Sequence, residues 1–361
     1  MSVPSGRAWG SEPFAVYGAG VFLPDRRGKM GHMGIQRPSR PRVSIVIPAY
    51  AAAATLGGAV TGALTQTHPD IEVVVVDDGS PDDTAAVARA YGDRIRLVEK
   101  SNGGCASARN AGAAAATGEF LAFCDSDDEL LPPAIETMLA AYHAAGAGRR
   151  AVTGNAYPLT SEGINPRRTT VMSEYPPAHR QRLEILQRNF ASVFSLLPRS
   201  LFDEIGGFDD SLRVIEDWDL WMRLAHADVE IVYVKQPVAL YRWSAGSMSS
   251  NSERMIEAEN ALLVRFEENH RDRLRPEERE YLARRLAAGS PWTLRGRADA
   301  ALRTGNDAEA GRLYRSASAL MPGDRRLRLR AASVGRVPAA ARLWRSRDAK
   351  IQATVGRKGD S

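Results

Sequence analysis

Between Val43 and Cys124 short apolar runs alternate with helix-length stretches, and that alternation restricts the fold more than any other feature of the chain. Val43–Ile47, Ile71–Val76, Ile95–Val98 and Phe120–Cys124 read as buried strands, the first stopped by Pro48. Thr55–Gln66, Asp82–Tyr91 and Cys105–Ala116 read as helices, with Ser80 or Asp82 suited to cap the second. Parallel strands need a crossover, and helices of about ten residues supply one. The pattern therefore calls for an α/β protein with a mostly parallel sheet flanked by helices.

Acids mark the ends of two of these strands. The run Leu121–Leu131 reads LAFCDSDDELL, with Asp125, Asp127 and Asp128 closing the apolar stretch. If the strand continues through them, Asp125 and Asp127 project to the same side. Carboxylates at the mouth of a buried strand are costly unless a cation or ligand compensates them. Hard cations such as Mg²⁺ and Mn²⁺ favour carboxylate oxygens and commonly bridge to substrate phosphates. A capped turn before Pro132 is the plain alternative. Glu72–Ser80 (EVVVVDDGS) is the second acid-tipped strand. Together the two point to a charged ligand at the carboxyl edge of the sheet.

Three further segments carry possible chemistry. At Pro48-Ala49-Tyr50, an aromatic just beyond a strand end either punctuates the chain or offers a stacking platform for a flat base. Asp77-Asp78-Gly79-Ser80 either forms a turn or accepts hydrogen bonds from a base or ribose. Asn102-Gly103-Gly104 leads into Ala108-Arg109-Asn110, where glycine N–H groups and a forked cation suit a phosphate; the alternative is a flexible loop with a solvated Arg.

Glu216-Asp217-Trp218-Asp219-Leu220-Trp221 opens a later helix, with Leu220, Trp221 and Leu224 on its core face. The helix dipole lowers the pKa of acids in that first turn. A general base works best with a pKa near the working pH, so a catalytic Asp217 needs burial or a neighbouring acid to raise it, and Glu216 is such a neighbour.

The ends of the chain differ from its middle. Residues 1–42 carry 7 basic groups against 2 acids, and 320–361 carry 11 against 3. The middle is net acidic, so the overall charge of +5 belongs to the ends. They are either solubilising tails or attractors for an anionic surface such as membrane phospholipid or polyphosphate. No nucleic-acid partner is expected. Cys105 and Cys124 form no spacing pattern and read as packed, reduced thiols in a cytosolic protein. The N-terminus has no long apolar core of a secretory signal. The uncharged run 43–67 reads as strand, loop and helix rather than a membrane span, because Pro48 and several Gly and Thr interrupt it. The stretch 150–200 is less regular. Val229–Val234 reads as a strand, and helices follow from about Ser252; Asp299–Leu320 is similar to one tetratricopeptide-type hairpin.

The ordered set PAY, VDDGS, NGG…ARN, DSD, GGFD and EDWDLW, from about Val43 to Ser250, closely resembles the family 2 glycosyltransferases. The resemblance implies an inverting, nucleotide-diphospho-sugar-dependent enzyme of the GT-A (Rossmann-like) fold. It implies donor contacts from Pro48, Tyr50 (base), Asp78 (base), Gly103, Arg109, Asp125 (ribose) and Ser126. It implies Asp127 as the ligand of Mg²⁺ or Mn²⁺, and Asp217 as the general base. Glu216, Arg242 and Ser247 are possible supporting residues, the last two in a loop that closes over the diphosphate. Ala51 stands where the family frequently has Asn, and no His occupies that later loop.

The expected organisation is a disordered basic leader (1–41), a GT-A domain (42–250, donor half to about 130), a helical region (251–335) and a mobile basic tail (336–361). Expected partners are a UDP-, GDP- or dTDP-sugar and a glycan or lipid-linked acceptor, with an anionic membrane surface reached through the basic ends. The expected location is cytoplasmic or on the inner membrane face. A haloacid-dehalogenase phosphatase is disfavoured because Glu129 stands where Thr or Val is required. A dinucleotide oxidoreductase lacks its G-x-G-x-x-G after the first strand. The alternative function is a non-catalytic sugar-nucleotide-binding or scaffold protein on the same fold.

Overall fold

A computed structural model describes residues 40–171, 174–243 and 252–356. Its first half alternates as expected: β1 (Val43–Ala49), α1 (Leu56–Leu64), β2 (Ile71–Asp77), α2 (Thr84–Arg89), β3 (Arg96–Glu99), α3 (Cys105–Ala115) and β4 (Phe120–Phe123). There follow β5 (Glu129–Leu130), α4 (Ala134–Ala144), β6 (Arg150–Thr160), β7 (Gly163–Ile164), α5 (Gln181–Gln187), β8 (Ser195–Pro198), α6 (Arg199–Glu204), α7 (Glu216–His226) and β9 (Glu230–Arg242). The C-terminal helices are α8 (Ser252–His270), α9 (Pro276–Ala288), α10 (Pro291–Arg303), α11 (Asp307–Leu320), α12 (Arg325–Ser333) and α13 (Pro338–Gly356).

The sheet runs β3-β2-β1-β4-β8-β6-β9-β5, with β7 paired to β6. The first four strands are parallel. Beyond β4 the sheet is mixed: β8 is antiparallel to β4 and β6, β9 is parallel to β6, and β5 is antiparallel to β9. Both faces of the parallel part are buried, as crossover helices require. Ile45, Ile47, Val73 and Val75 pack on the side of α1 and α4. Val46, Val74 and Val76 pack on the other side with α3, α5, α7 and α8–α13. Gly112 lets α3 lie against β1, since a Cβ there would come within 2.4 Å of Val46.

Two expectations about strands change. Pro48 does not stop β1; it pairs with Val76 inside the strand. Val46 accepts from Cys124 N on the β4 side, so the backbone nitrogen two residues on faces that side too. Pairing with β4 ends at Val46–Phe123, so no neighbour there needs the N–H that proline lacks. In turn, β4 ends at Phe123, and the three acids occupy the following turn rather than a continuing strand. Their shared side is a property of that turn, closed by Asp128 N donating to Asp125 O at 3.1 Å.

The basic stretch expected to be a mobile tail forms α13 over Pro338–Gly356. Buried Arg330 on α12 reaches Asp299 and Asp348, each at 2.6 Å, and Arg345 pairs with Asp307. These ion pairs and buried Ala341 hold the helix against its neighbours. Arg182 on α5 and Glu278 on α9 bond at 2.8 and 3.0 Å, which ties the helical region to the α5–α7 layer. No helix among the described residues is long and apolar enough to cross a membrane. Cys105 and Cys124 are free thiols.

Candidate active site

The loops that follow β1, β2, β3 and β4 meet at the carboxyl edge of the sheet, the usual ligand edge of an open α/β sheet. Tyr50, just past β1, is 52% exposed, as a stacking platform needs to be. Ala51 beside it has φ 49°, a left-handed conformation that Asn tolerates better than Ala. The next three backbone N–H groups are held by the neighbouring loop. Ala51 N donates to Ser80 Oγ (3.1 Å), Ala52 N to Thr84 Oγ1 (2.8 Å) and Ala53 N to Asp82 Oδ2 (3.1 Å).

Asp78 is buried beneath the glycine loop. Its carboxylate accepts from Lys100 Nζ (2.7 Å), Gly103 N (2.9 Å) and Gly104 N (2.7 Å). Gly104 has φ 89°, which lets both amides converge on one side chain. The acid singled out as a base contact thus also shapes the NGG loop, and Lys100 joins it without having stood out in the sequence.

Arg109 departs most from its expected surroundings. It is 3% exposed, and its fork is already occupied: Nη2 donates to Asp125 Oδ1 at 2.6 Å and Nη1 to Glu216 Oε1 at 2.5 Å. The guanidinium also lies 5.2 Å from the centre of the Phe208 ring. A buried guanidinium requires carboxylate partners, and these two are in reach, so Arg109 is neither solvated nor turned to an open phosphate site. Its neighbour Asn110 donates to Phe208 O (2.8 Å) and accepts from Phe208 N (2.9 Å). The ARN and GGFD motifs, far apart in sequence, are therefore one contact.

Asp125, Asp127 and Asp128 offer oxygens that lie within 4.8 Å of one another. Asp127 is exposed, Asp125 partly buried and Asp128 buried, while Ser126 lies between them in the turn. Asp128 Oδ1 accepts from Arg242 N at 2.7 Å, but its buried Oδ2 has no partner. Burial, with Asp125 adding repulsion, pushes the Asp128 carboxyl up to about 9; Asp127, solvent-exposed as a residue but with its carboxyl partly desolvated in the turn, is raised by that desolvation and by Asp125. Mutual repulsion and an orphaned inward oxygen are what a set of oxygen ligands shows before a divalent cation compensates it, so the residues present fit Mg²⁺ or Mn²⁺. Arg242 braces the cluster: Nε donates to Asp127 O (2.8 Å) and Nη2 to Glu129 Oε1 (3.3 Å). Ser247 lies outside the described residues.

Asp217 occupies the second position of α7. The residue before that helix, Ile215, has φ 57°, a strained conformation for a β-branched side chain. Burial and the charge of Glu216 push the Asp217 carboxyl up to about 6, against the lowering effects of Arg109, Trp218 N–H and Asn189. Both causes anticipated for a usable base in this turn are thus present. Asn189, on the loop after α5, donates its Nδ2 to Asp217 Oδ2 at 2.9 Å. Sequence reasoning missed Asn189, because a single Asn in an irregular stretch carries no pattern. Trp218 Nε1 donates to Ile185 O at 2.7 Å, and Leu220, Trp221 and Leu224 are buried, so packing fixes the helix that carries Asp217.

A family model described as Glycosyl transferase family 2 matches residues 44–206. An uncharacterized glycosyltransferase of Rickettsia felis is 36% identical over 189 residues, which cover 51% of this chain and 31% of that protein. Chondroitin synthase of Pasteurella multocida is 32% identical over 188 residues, 51% of this chain and 19% of that one. The chain thus spans less than a third of the length of either relative. The crystal structure of S. aureus TarS 1–349 in complex with UDP-GlcNAc matches with a TM-score of 0.56 at 17% identity, over 80% of this chain and 88% of that one, a likeness of fold.

Proposed function

We propose that the chain is an inverting glycosyltransferase of family 2, the family whose model matches residues 44–206. It moves a sugar from a nucleotide diphosphate to an acceptor hydroxyl in one displacement. The observation that carries the reading is the environment of Asp217. Its carboxylate is raised to about 6, held by Asn189, and linked through Glu216 and Arg109 to the acid turn at Asp125. A carboxylate so tuned is ionised at neutral pH yet basic enough to assist proton removal.

In this mechanism Asp217 accepts the hydroxyl proton as the acceptor oxygen bonds to the anomeric carbon. Attack comes from the face opposite the diphosphate, the bond from carbon to phosphate oxygen breaks, and the configuration inverts. Tyr50 stacks on the base, Asp78 and the Gly103 loop receive the nucleoside, and Asp125 reaches the ribose. Asp127 and Asp128 would hold Mg²⁺ or Mn²⁺, which when bound neutralises the departing diphosphate. A diphosphate is a far better leaving group than a sugar alkoxide, so the reaction needs no second carboxyl as acid, unlike glycoside hydrolysis.

The donor class is a UDP-, GDP- or dTDP-sugar, with UDP-GlcNAc, the ligand in the TarS complex, tested first. The acceptor is a glycan or a lipid-linked glycan, met at an anionic membrane surface to which the basic ends of the chain are drawn. A thermal-shift screen of nucleotide sugars with and without Mn²⁺, followed by assay of donor hydrolysis and transfer, tests the reading. Mn²⁺-dependent stabilisation by one donor with turnover supports it. Stabilisation without hydrolysis or transfer to any acceptor marks a binding module instead.

A further inference from the structure

We infer that the outer surface of α12 and α13 is a docking face for anionic phospholipid bilayers. This sharpens the membrane part of the proposed function, and it is independent of the transfer chemistry.

The two helices divide their residues sharply between inside and outside. On α12, Leu327, Arg330 and Ala331 are buried, while Leu329 on the opposite side of the helix is 62% exposed. On α13, Ala341 is buried and Arg345 and Asp348 make inward ion pairs, while Leu343 is 69% exposed. Between the helices Val337 is 49% exposed. Ser333 links the two helices: its Oγ donates to Leu329 O of α12 at 2.7 Å and accepts from Trp344 Nε1 of α13 at 3.2 Å. Leu329, Val337 and Leu343 thus project from successive segments of this arginine-rich stretch. The indole lies between two cations, Arg330 at 4.8 Å and Arg347 at 5.7 Å from its centre.

Charge selects the occupant. Residues 325–347 hold eight arginines and no acid. Arg330 and Arg345 turn inward to Asp299, Asp348 and Asp307. The other six are exposed, and none makes an ion pair among the described residues. A polyanion alone would be recognised by arginines without projecting leucines. A second copy of this face would bring six unpaired cations against six. A bilayer of anionic lipid satisfies both features, because guanidinium groups meet phosphates in the headgroup layer while isolated leucines enter the acyl boundary.

The test is flotation of the full chain with vesicles of phosphatidylcholine alone and of phosphatidylcholine with phosphatidylglycerol, at low and high salt. Binding is expected only with phosphatidylglycerol, and salt should weaken it. Each of Arg325→Gln, Arg328→Gln and Arg342→Gln should lower partitioning about five-fold. Leu329→Ser with Leu343→Ser should lower it at least about ten-fold. All five positions are exposed, so unchanged melting temperatures show that each variant is folded. Absence of binding to phosphatidylglycerol vesicles overturns the inference. So does binding that survives the leucine pair, which assigns the attraction to charge alone or to residues 1–42. Loss of a dimer in the leucine pair, with no vesicle binding by the parent chain, assigns the face to self-association and also overturns it.

Discussion

Arg109 Nη1 and Glu216 Oε1 lie 2.5 Å apart across 107 residues of sequence, and through that pair the donor-side turn and the helix bearing Asp217 share one buried cation. The other arm of the same guanidinium holds Asp125 at 2.6 Å. The turn after β4 and the first turn of α7 are therefore held by one side chain.

Arg109→Met should destabilise the fold strongly. It leaves Glu216 and Asp125 without their common partner, and breaking a buried pair from one side costs about 3–5 kcal/mol. Urea denaturation should show a loss of that size, with Arg109→Met/Glu216→Leu recovering part of it. A loss below about 1 kcal/mol would mean that the pair is solvated and does not organise the site.

Two substitutions beside Asp217 should move the acid limb of kcat/KM in opposite directions. In the proposed role Asp217 acts when deprotonated, so activity should rise with pH as this carboxyl, pushed up to about 6 by burial and Glu216, loses its proton. Glu216→Gln removes a charge that raises that pKa, so the limb should shift to lower pH. Asn189→Ala removes a hydrogen bond that lowers it, so the limb should shift to higher pH. Shifts of the same sign in both variants would contradict this electrostatic account.

Divalent cation should stabilise the chain through the acid turn. At a hundred times its Kd, Mn²⁺ bound only to the native state adds about 2.7 kcal/mol. Asp127→Ala and Asp128→Asn should each remove most of that gain in a thermal melt with nucleotide present. An undiminished gain in both variants would place the cation elsewhere.

Ala51→Asn should raise stability by about 0.5–1 kcal/mol, because Ala51 holds φ 49° and Asn accepts left-handed backbone more readily. Chemical denaturation measures it. A loss of stability would show that the new amide clashes with the Ser80–Asp82 loop that grips this segment.

Residues with strong local signals were legible in the sequence. β1 to β4 follow from β-branched runs between helix-length segments, and the acid and glycine motifs mark the sheet edge where they are found. What escaped depends on tertiary partners. β6 contains Gly154, Asn155 and Pro158, poor strand formers taken singly, yet it is a central strand. Gly154 is explained by Val238, whose side chain lies within 2.2 Å of where a Cβ would be. β9 continues to Arg242, through Pro237 and a register shift opposite Gly154 and Asn155, where periodicity ends the strand at Val234. The composition of α13 reads as a mobile basic tail until Asp299, Asp307 and Asp348 are seen to hold Arg330 and Arg345. The pairing of Arg109 with Glu216 has no sequence signal at all, since nothing in either motif names the other.

The most direct test of the central claim is Asp217→Asn, with donor binding and transfer measured on the same preparation. Titration with nucleotide sugar and Mn²⁺ should give an affinity close to the parent chain, because Asp217 bonds to Asn189 and the Trp218 N–H and to none of the residues assigned to the nucleotide. Transfer should fall by at least about 10²-fold, the contribution of a positioned general base. Full transfer in Asp217→Asn would contradict the account.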